Sequence, residues 1–213
     1  MSRIIDASLE GLSLTLNRMG EMAYNAVSKS LLECLEGREA YNEIREISNN
    51  LLIMTEYVED RAFELIVRYQ PVASDLRRIK SYMKIAYDLT RFGRYALDIS
   101  FTNKRLGGLR DCEEWIKTYI RETGEKVLEM IRLSMEALKN NDPQLARNIS
   151  TKENEVDKMQ LEFLDKLIES ETTRKCAISS VLIIRYLERI ADHAAYICES
   201  IIYITTGQKE TLR

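Results

Sequence analysis

Four carboxylates carry the clearest chemical pattern in this chain. Glu188 and Asp192 stand four residues apart, and so do Glu153 and Asp157. On a helix that step puts both side chains on one face about a turn apart, and Glu199, eleven residues after Glu188, returns to nearly the same face. Neighbouring like charges on a helix cost roughly 0.2–0.5 kcal/mol per pair. Two such pairs meeting between helices therefore need counter-charge. A cation can supply it, since facing helices that each present paired carboxylates are how helical bundles build multinuclear metal sites. Oxygen-only ligation suits magnesium, manganese or iron; zinc is compatible, although no Cys or His set favours it. A metal-free reading stands beside this one. Arg185 precedes Glu188 by three residues and Arg189 precedes Asp192 by three, so an ion-pair ladder could neutralise the face.

Other chemistries find no support in the residue pattern. His193, the single histidine, follows Asp192 directly and so points about 100° away from the carboxylate stripe. It reads as a packed or surface histidine rather than a ligand. No Ser, Cys and His spacing suggests a nucleophile with its base, and no glycine-rich run precedes a Lys-Ser or Lys-Thr pair to cradle phosphate. The net charge of -3 is spread over interspersed acids and bases, which leaves no basic field for nucleic acid. Cys34, Cys112, Cys176 and Cys198 are far apart with no CxxC pair and are expected to be reduced, mostly buried small hydrophobes. Asp6 and Glu10 interrupt the stretch where a signal peptide would be apolar, and the most apolar segment, Cys176 to Ile184, is much shorter than a membrane span. A cytoplasmic protein is expected.

The elements that must position the carboxylates are helical. Hydrophobic residues make up 45% of the chain, and only 8 glycines and 2 prolines punctuate it, too few for a many-stranded sheet. Leu12, Leu16, Met19, Ala23, Ala26 and Ser30 recur at steps of four and three, the seam of a helix packed lengthwise on others. Ile116, Ile120, Thr123, Val127, Met130 and Ser134 repeat that seam 104 positions later, with Gly20-Glu21 falling on Gly124-Glu125. The pattern is an internal duplication.

Each repeat then predicts three long helices, over 8–36, 39–68 and 72–103, and over 111–140, 143–171 and 173–205. Gly37 and Gly207 suit left-handed helix ends, Gly107-Gly108 separates the repeats, Asp142-Pro143 reads as an N-cap followed by proline, and Pro71 sits at the start of the third helix. Short connections favour antiparallel neighbours. The expected fold is all-α, two tandem three-helix bundles over 1–106 and 109–213, side by side on a shared long core.

RYQPVASDLRRI (Arg68 to Ile79), YDLTRFGRYALDIS (Tyr87 to Ser100) and YLERIADHAAYICESIIYITTG (Tyr186 to Gly207) closely resemble the motifs of the PhoU family of phosphate-uptake regulators, and the match spans essentially the whole chain. The resemblance implies two three-helix bundles with multinuclear metal clusters on their surface. Carried over by position, it assigns Glu188 and Asp192 as ligands, with Tyr196 as the third member of that motif, and matches Glu153 and Asp157 to the acidic pair on the preceding helix. In the first repeat Thr90 and Arg94 replace the two leading acids and leave Asp98, while Asn50 and Met54 stand at the partner-helix positions. Arg94 would set a fixed positive charge where a cation would sit. At most one metal site is therefore expected, in the second repeat. Gln70, Pro71, Asp75 and Arg77 also match the family, and their place at a helix start favours an architectural role.

The resemblance also implies a non-enzymatic cytoplasmic regulator of phosphate uptake that acts negatively through contacts with the ATPase subunit of a phosphate ABC transporter and with a sensor kinase. Membrane association would run only through those partners, and a homodimer is compatible with the pattern. Two other readings stand beside it. One is a carboxylate-bridged metalloprotein, enzyme or storage, although the Glu-x-x-His pairs usual in such bundles are missing from the sequence. The other is a metal-free helical scaffold for another transporter.

Overall fold

The structure, a computed structural model, describes residues 4–212; residues 1–3 and 213, at the outer ends of the two expected repeats, lie outside it. Among the described residues every regular element is helical: α1 (Ile4–Glu36), α2 (Tyr41–Tyr69), α3 (Ala73–Leu106), α4 (Glu114–Asn140), α5 (Pro143–Arg147), α6 (Ile149–Ile168) and α7 (Arg174–Thr206). Among the described residues no helix is long and apolar enough to cross a membrane.

Helix ends follow backbone chemistry. Gly37, Gly107 and Gly207 take left-handed angles (φ 75°, 88° and 75°), as glycine does without steric cost. Gln70 and Asn141 do the same with side chains (φ 44° and 49°), a stop that the glycine pattern did not mark at Gln70. Pro71 lies in that turn, and α3 begins only at Ala73. Asp142 caps α5 as expected, its Oδ1 accepting from the N–H groups of Gln144 (2.8 Å) and Leu145 (3.0 Å). The single helix expected over 143–171 is instead two, divided at Asn148. Asparagine is a poor interior helix former that competes for backbone hydrogen bonds. The second piece ends at Ile168, where the Ser170 N–H and hydroxyl both turn back onto the Leu167 carbonyl (3.2 and 2.8 Å).

The two seams read from sequence are buried along their whole length, and α1 also packs on α4. Methylene-free positions allow the approach. A Cβ on Gly20 would lie 2.5 Å from Met135 Cε, and one on Gly124 would lie 2.7 Å from Leu31 Cδ1. Gly20 and Gly124 are 104 residues apart, as are Leu31 and Met135, so the contact repeats itself about a pseudo-two-fold axis. The α3–α7 contact does likewise. Asp88 accepts or shares a proton with His193 Nδ1 at 2.8 Å, and Tyr95 stacks on Tyr186 with centroids 6.1 Å apart. Asp88 corresponds to Tyr186, and Tyr95 to His193, by one offset of 98. One core runs through both repeats, and the outer helices pack on one half each: α2 on α1 and α3, α6 on α4, α5 and α7.

The cysteines correct the sequence expectation. Cys112, between α3 and α4, and Cys176, in the first turn of α7, form a disulfide with Cα atoms 5.4 Å apart. Sixty-four residues separate them in sequence, and wide spacing is silent about proximity in space. The connection after α3 folds over the start of α7, where the Thr172 hydroxyl donates to Glu113 Oε2 at 2.7 Å. Cys34 and Cys198 are free and buried, and burial pushes both thiols well above the ordinary range. Cross-linking a loop of 64 residues removes chain entropy from the unfolded state worth about 4 kcal/mol. Reduction, or Cys112→Ser, is expected to lower the urea-unfolding free energy by up to about that amount while circular dichroism keeps its helical signal. An unchanged unfolding midpoint would show that the bridge does not form.

Candidate metal centre

α6 is held to α4 by an aromatic cluster in which Phe163 sits 5.7 Å from the Trp115 ring and 5.4 Å from Tyr119. The Tyr119 hydroxyl adds a hydrogen bond to the Met159 carbonyl (2.9 Å). That anchoring turns the next positions of the stripe, Glu153 and Asp157, toward α7. Glu153, Asp157 and Asp192 each bring a carboxylate oxygen into one group whose members all lie within 4.8 Å of one another. Glu153 and Asp192 are buried. Asp157 is partly exposed, yet its Oδ1 is buried with no hydrogen-bond partner. Desolvation pushes the Asp157 carboxyl above the usual range, Glu188 and Asp192 add to the push, and Arg189 and Arg185 oppose it.

Glu188 is the one of the four sequence candidates outside this group. It accepts from Arg185 Nη1 (2.9 Å) and Arg189 Nε (2.7 Å), and Arg189 Nη1 also reaches Asp192 Oδ2 (3.0 Å). Hydrogen bonding to Glu188 holds the Arg189 guanidinium firmly charged. The ion-pair ladder and the convergent carboxylates are thus both present, and Asp192 belongs to both. Three oxygen donors, one of them the buried Asp157 Oδ1 with no hydrogen-bond partner, fit a hard divalent cation in donor type.

The neighbouring candidates are engaged elsewhere. Glu199 accepts from the Leu212 N–H (3.2 Å) and lies 3.9 Å from Lys84 Nζ. Tyr196 stands edge-on to the His193 ring and under Lys84 Nζ. His193 is a contact between the repeats; its partner Asp88 was not singled out from sequence, where nothing marks which helix faces it. Burial raises the Asp88 carboxyl, with the His193 hydrogen bond opposing.

The corresponding place in the first repeat holds hydroxyls. Thr55 and Thr90 share a hydrogen bond, Thr55 also donates to carbonyls of its surroundings, and Thr90 Oγ1 lies 3.2 Å from the Leu51 carbonyl. The residues facing Thr90 are therefore Leu51 and Thr55, one position beyond Asn50 and Met54, because Ser48, Leu51 and Thr55 form the buried stripe of α2. Arg94 is exposed and, with Arg91, opposes the rise that burial imposes on Asp98. Asp75 is buried in the first turn of α3, and Arg77 packs by Gly207, both consistent with structural work at this junction.

Comparison with known proteins follows the same two-part division. The PhoU domain model matches residues 16–101 and again 120–201. A phosphate-specific transport system accessory protein PhoU homolog of Clostridium acetobutylicum is 31% identical, over 99% of this chain and 98% of its own length. A relative of the same description from Thermotoga maritima is 28% identical over 88% of this chain and 85% of its own. The crystal structure of PhoU from Pseudomonas aeruginosa superposes with a TM-score of 0.90 at 26% identity, covering 95% of this chain and 99% of that one. The phosphate transport system regulatory protein PhoU from Streptococcus pneumoniae shares the fold, with a TM-score of 0.87 at 24% identity over 96% of this chain and 98% of that one.

The raised Asp157 carboxyl gives a pH dependence of definite sign. A carboxyl that holds its proton more tightly folded than unfolded favours the folded state at low pH, and that advantage is lost as pH rises through the folded value. Without metal, Asp157→Asn is therefore expected to melt above the native protein by a margin that opens as pH climbs past about 4. Saturating manganese should reverse the order, because only the native chain keeps all three donors. A margin independent of both pH and manganese would count against the convergence of these acids.

Proposed function

The chain belongs to the PhoU family, and from that premise we propose that it is a non-enzymatic cytoplasmic regulator of phosphate uptake. The observation that supports this reading most is the relative from Clostridium acetobutylicum, a phosphate-specific transport system accessory protein homolog aligned end to end at 31% identity. The chain acts negatively, by docking helix surfaces onto the ATPase subunit of a phosphate transporter and onto a membrane sensor kinase. The duplicated units, 1–106 and 109–213, divide the work.

The second unit holds one hard divalent cation through Glu153, Asp157 and Asp192, with Glu188 as the anchor of the arginines beside it. Such a cation supplies charge and ties α6 to α7; it carries no reaction here. The disulfide bears on the compartment, because a reducing cytosol keeps thiols open. There the α3–α4 connection would rest on the Glu113–Thr172 hydrogen bond.

Affinity purification of the tagged chain from phosphate-rich and phosphate-poor cells is expected to recover the transporter ATPase subunit, the sensor kinase or both. Recovery of neither in either condition would reject the regulatory reading. Metal analysis of protein purified without added metal tests the centre separately. About one divalent ion per chain is expected, lost in the Glu153→Ala/Asp192→Ala protein and largely kept in Glu188→Ala; equal metal content in all three proteins would reject the assignment.

A further inference from the structure

The outward side of α2 is apolar and acidic at once. Its inner stripe, from Ile44 through Leu51 and Val58 to Leu65, is buried on α1 and α3. At about 100° per residue the opposite half of the helix carries Leu52, Ile53, Tyr57, Phe63 and Val67, with exposures from 51% to 77%. Among the described residues no other helix leaves as many large apolar side chains in water. Scattered exposed apolar residues are ordinary, whereas five large ones on one helix face mark association.

Glu56, Glu59, Asp60 and Glu64 are interleaved with that row. Glu64 pairs with Arg61 and Arg68. The other three carboxylates have no ion-pair partner among the described residues. Beside the row, Tyr57 and Arg61 wall a groove of about 280 Å³ between α1 and α2. Gly11 lies in its lining, with nothing within 4 Å of the place its Cβ would occupy, so a side chain can enter there. The outer helix of the second repeat, α6, exposes only Leu161 and Ile168 in comparison.

We propose that this face of α2 binds an amphipathic helix of a partner protein whose apolar stripe is flanked by lysine or arginine. An apolar helix stripe lies along Ile53, Phe63 and Val67, and its cations meet Glu56, Glu59 and Asp60. Charge selects this occupant. An anionic membrane surface or a nucleic acid would be repelled by the unpaired carboxylates. A second copy placed symmetrically on the same face would set acids against acids. The inference rests on the reading of this chain as a regulator that works by protein contacts, and it assigns the first repeat, which lacks the carboxylate group, the docking task.

The test uses the full chain and a fluorescent synthetic helix of about 18 leucine and lysine residues, leucine on one face, long enough to form several turns. Fluorescence anisotropy is expected to show saturable one-to-one binding that weakens with salt. Glu56→Lys/Asp60→Lys and, separately, Ile53→Ser/Phe63→Ser should each weaken it about tenfold or more. Glu122→Lys/Glu125→Lys on α4 changes net charge by the same amount and should leave affinity within about twofold. All of these positions are exposed, and circular dichroism verifies that each variant is folded.

The proposal fails if a scrambled peptide of identical composition binds equally, or if the α4 reversal weakens binding as much as the α2 reversal. It also fails if light scattering shows a dimer that Ile53→Ser/Phe63→Ser dissociates, since the face would then belong to a second copy. The pathway is separable from the surface. Capture of the transporter ATPase and sensor kinase undiminished by both α2 variants would remove the surface and keep the pathway. Specific peptide binding by a chain that captures neither partner would support the surface and remove the pathway.

Discussion

Close approach of four long helices about a pseudo-two-fold axis is the constraint on which the rest of this molecule depends. Helix backbones come near each other only where side chains are small, and Gly20 and Gly124 provide those places on α1 and α4, each filled by the side chain of a residue 115 or 93 positions away, Met135 or Leu31 respectively. Interiors packed to crystal-like density resist even one extra methylene. The four inner helices are therefore held to complementary volumes in both repeats. The outer helices are not, because α2 and α6 each pack on one half of the core and leave the other side in water. Chemical differences between the repeats accordingly stand on α2 and α6 and on the turns of α3 and α7 that face them.

Divergence at a symmetric position is stable only when each chemistry satisfies its own polar groups. In the first repeat Thr55 and Thr90 bond to one another and to carbonyls, so the buried hydroxyls need nothing from outside. In the second, carboxylates occupy the same layer, and charge cannot be buried without compensation. Arg185 and Arg189 supply part of it through Glu188. A similar exchange marks the seam between the repeats, where the Asp88–His193 hydrogen bond is the symmetry mate of the Tyr95–Tyr186 stack. A polar pair and an aromatic pair fill equivalent space, each complete in itself.

Periodicity made most of this architecture legible. The seams from Leu12 to Ser30 and from Ile116 to Ser134 recorded both the inner helices and their duplication, because burial imposes a regular spacing that a sequence displays directly. Gly37, Gly207 and Asp142 announced their caps for equally local reasons. Features that depend on which distant residues meet were not readable. Cys112 and Cys176 are paired by the path of a connection, Gln70 ends α2 in a conformation that glycine would normally take, and the one-residue shift from Met54 to Thr55 reflects which side of α2 is buried. The carboxylate group was partly readable. Four-residue steps located Glu153, Asp157, Glu188 and Asp192, and three-residue steps located the Arg185–Glu188 and Arg189–Asp192 pairs; that Glu188 stands outside the group of three is expressed only by side-chain geometry.

Proton and cation are alternative answers to the same electrostatic problem in the second repeat. Asp157 can relieve the crowding by keeping its proton, and burial together with the neighbouring acids already biases it that way. Its partial exposure lets that proton exchange with solvent, so a metal ion need not open the core to displace it. Glu153 and Asp192 are buried, and the guanidinium of Arg189 lies 3.0 Å from Asp192 Oδ2. Because a bound ion needs Asp157 ionised, proton and metal must compete for the group. On the proposed metal reading, occupancy would follow pH and free cation together, while the helices that present the carboxylates stay anchored through Phe163 and the α4 aromatics.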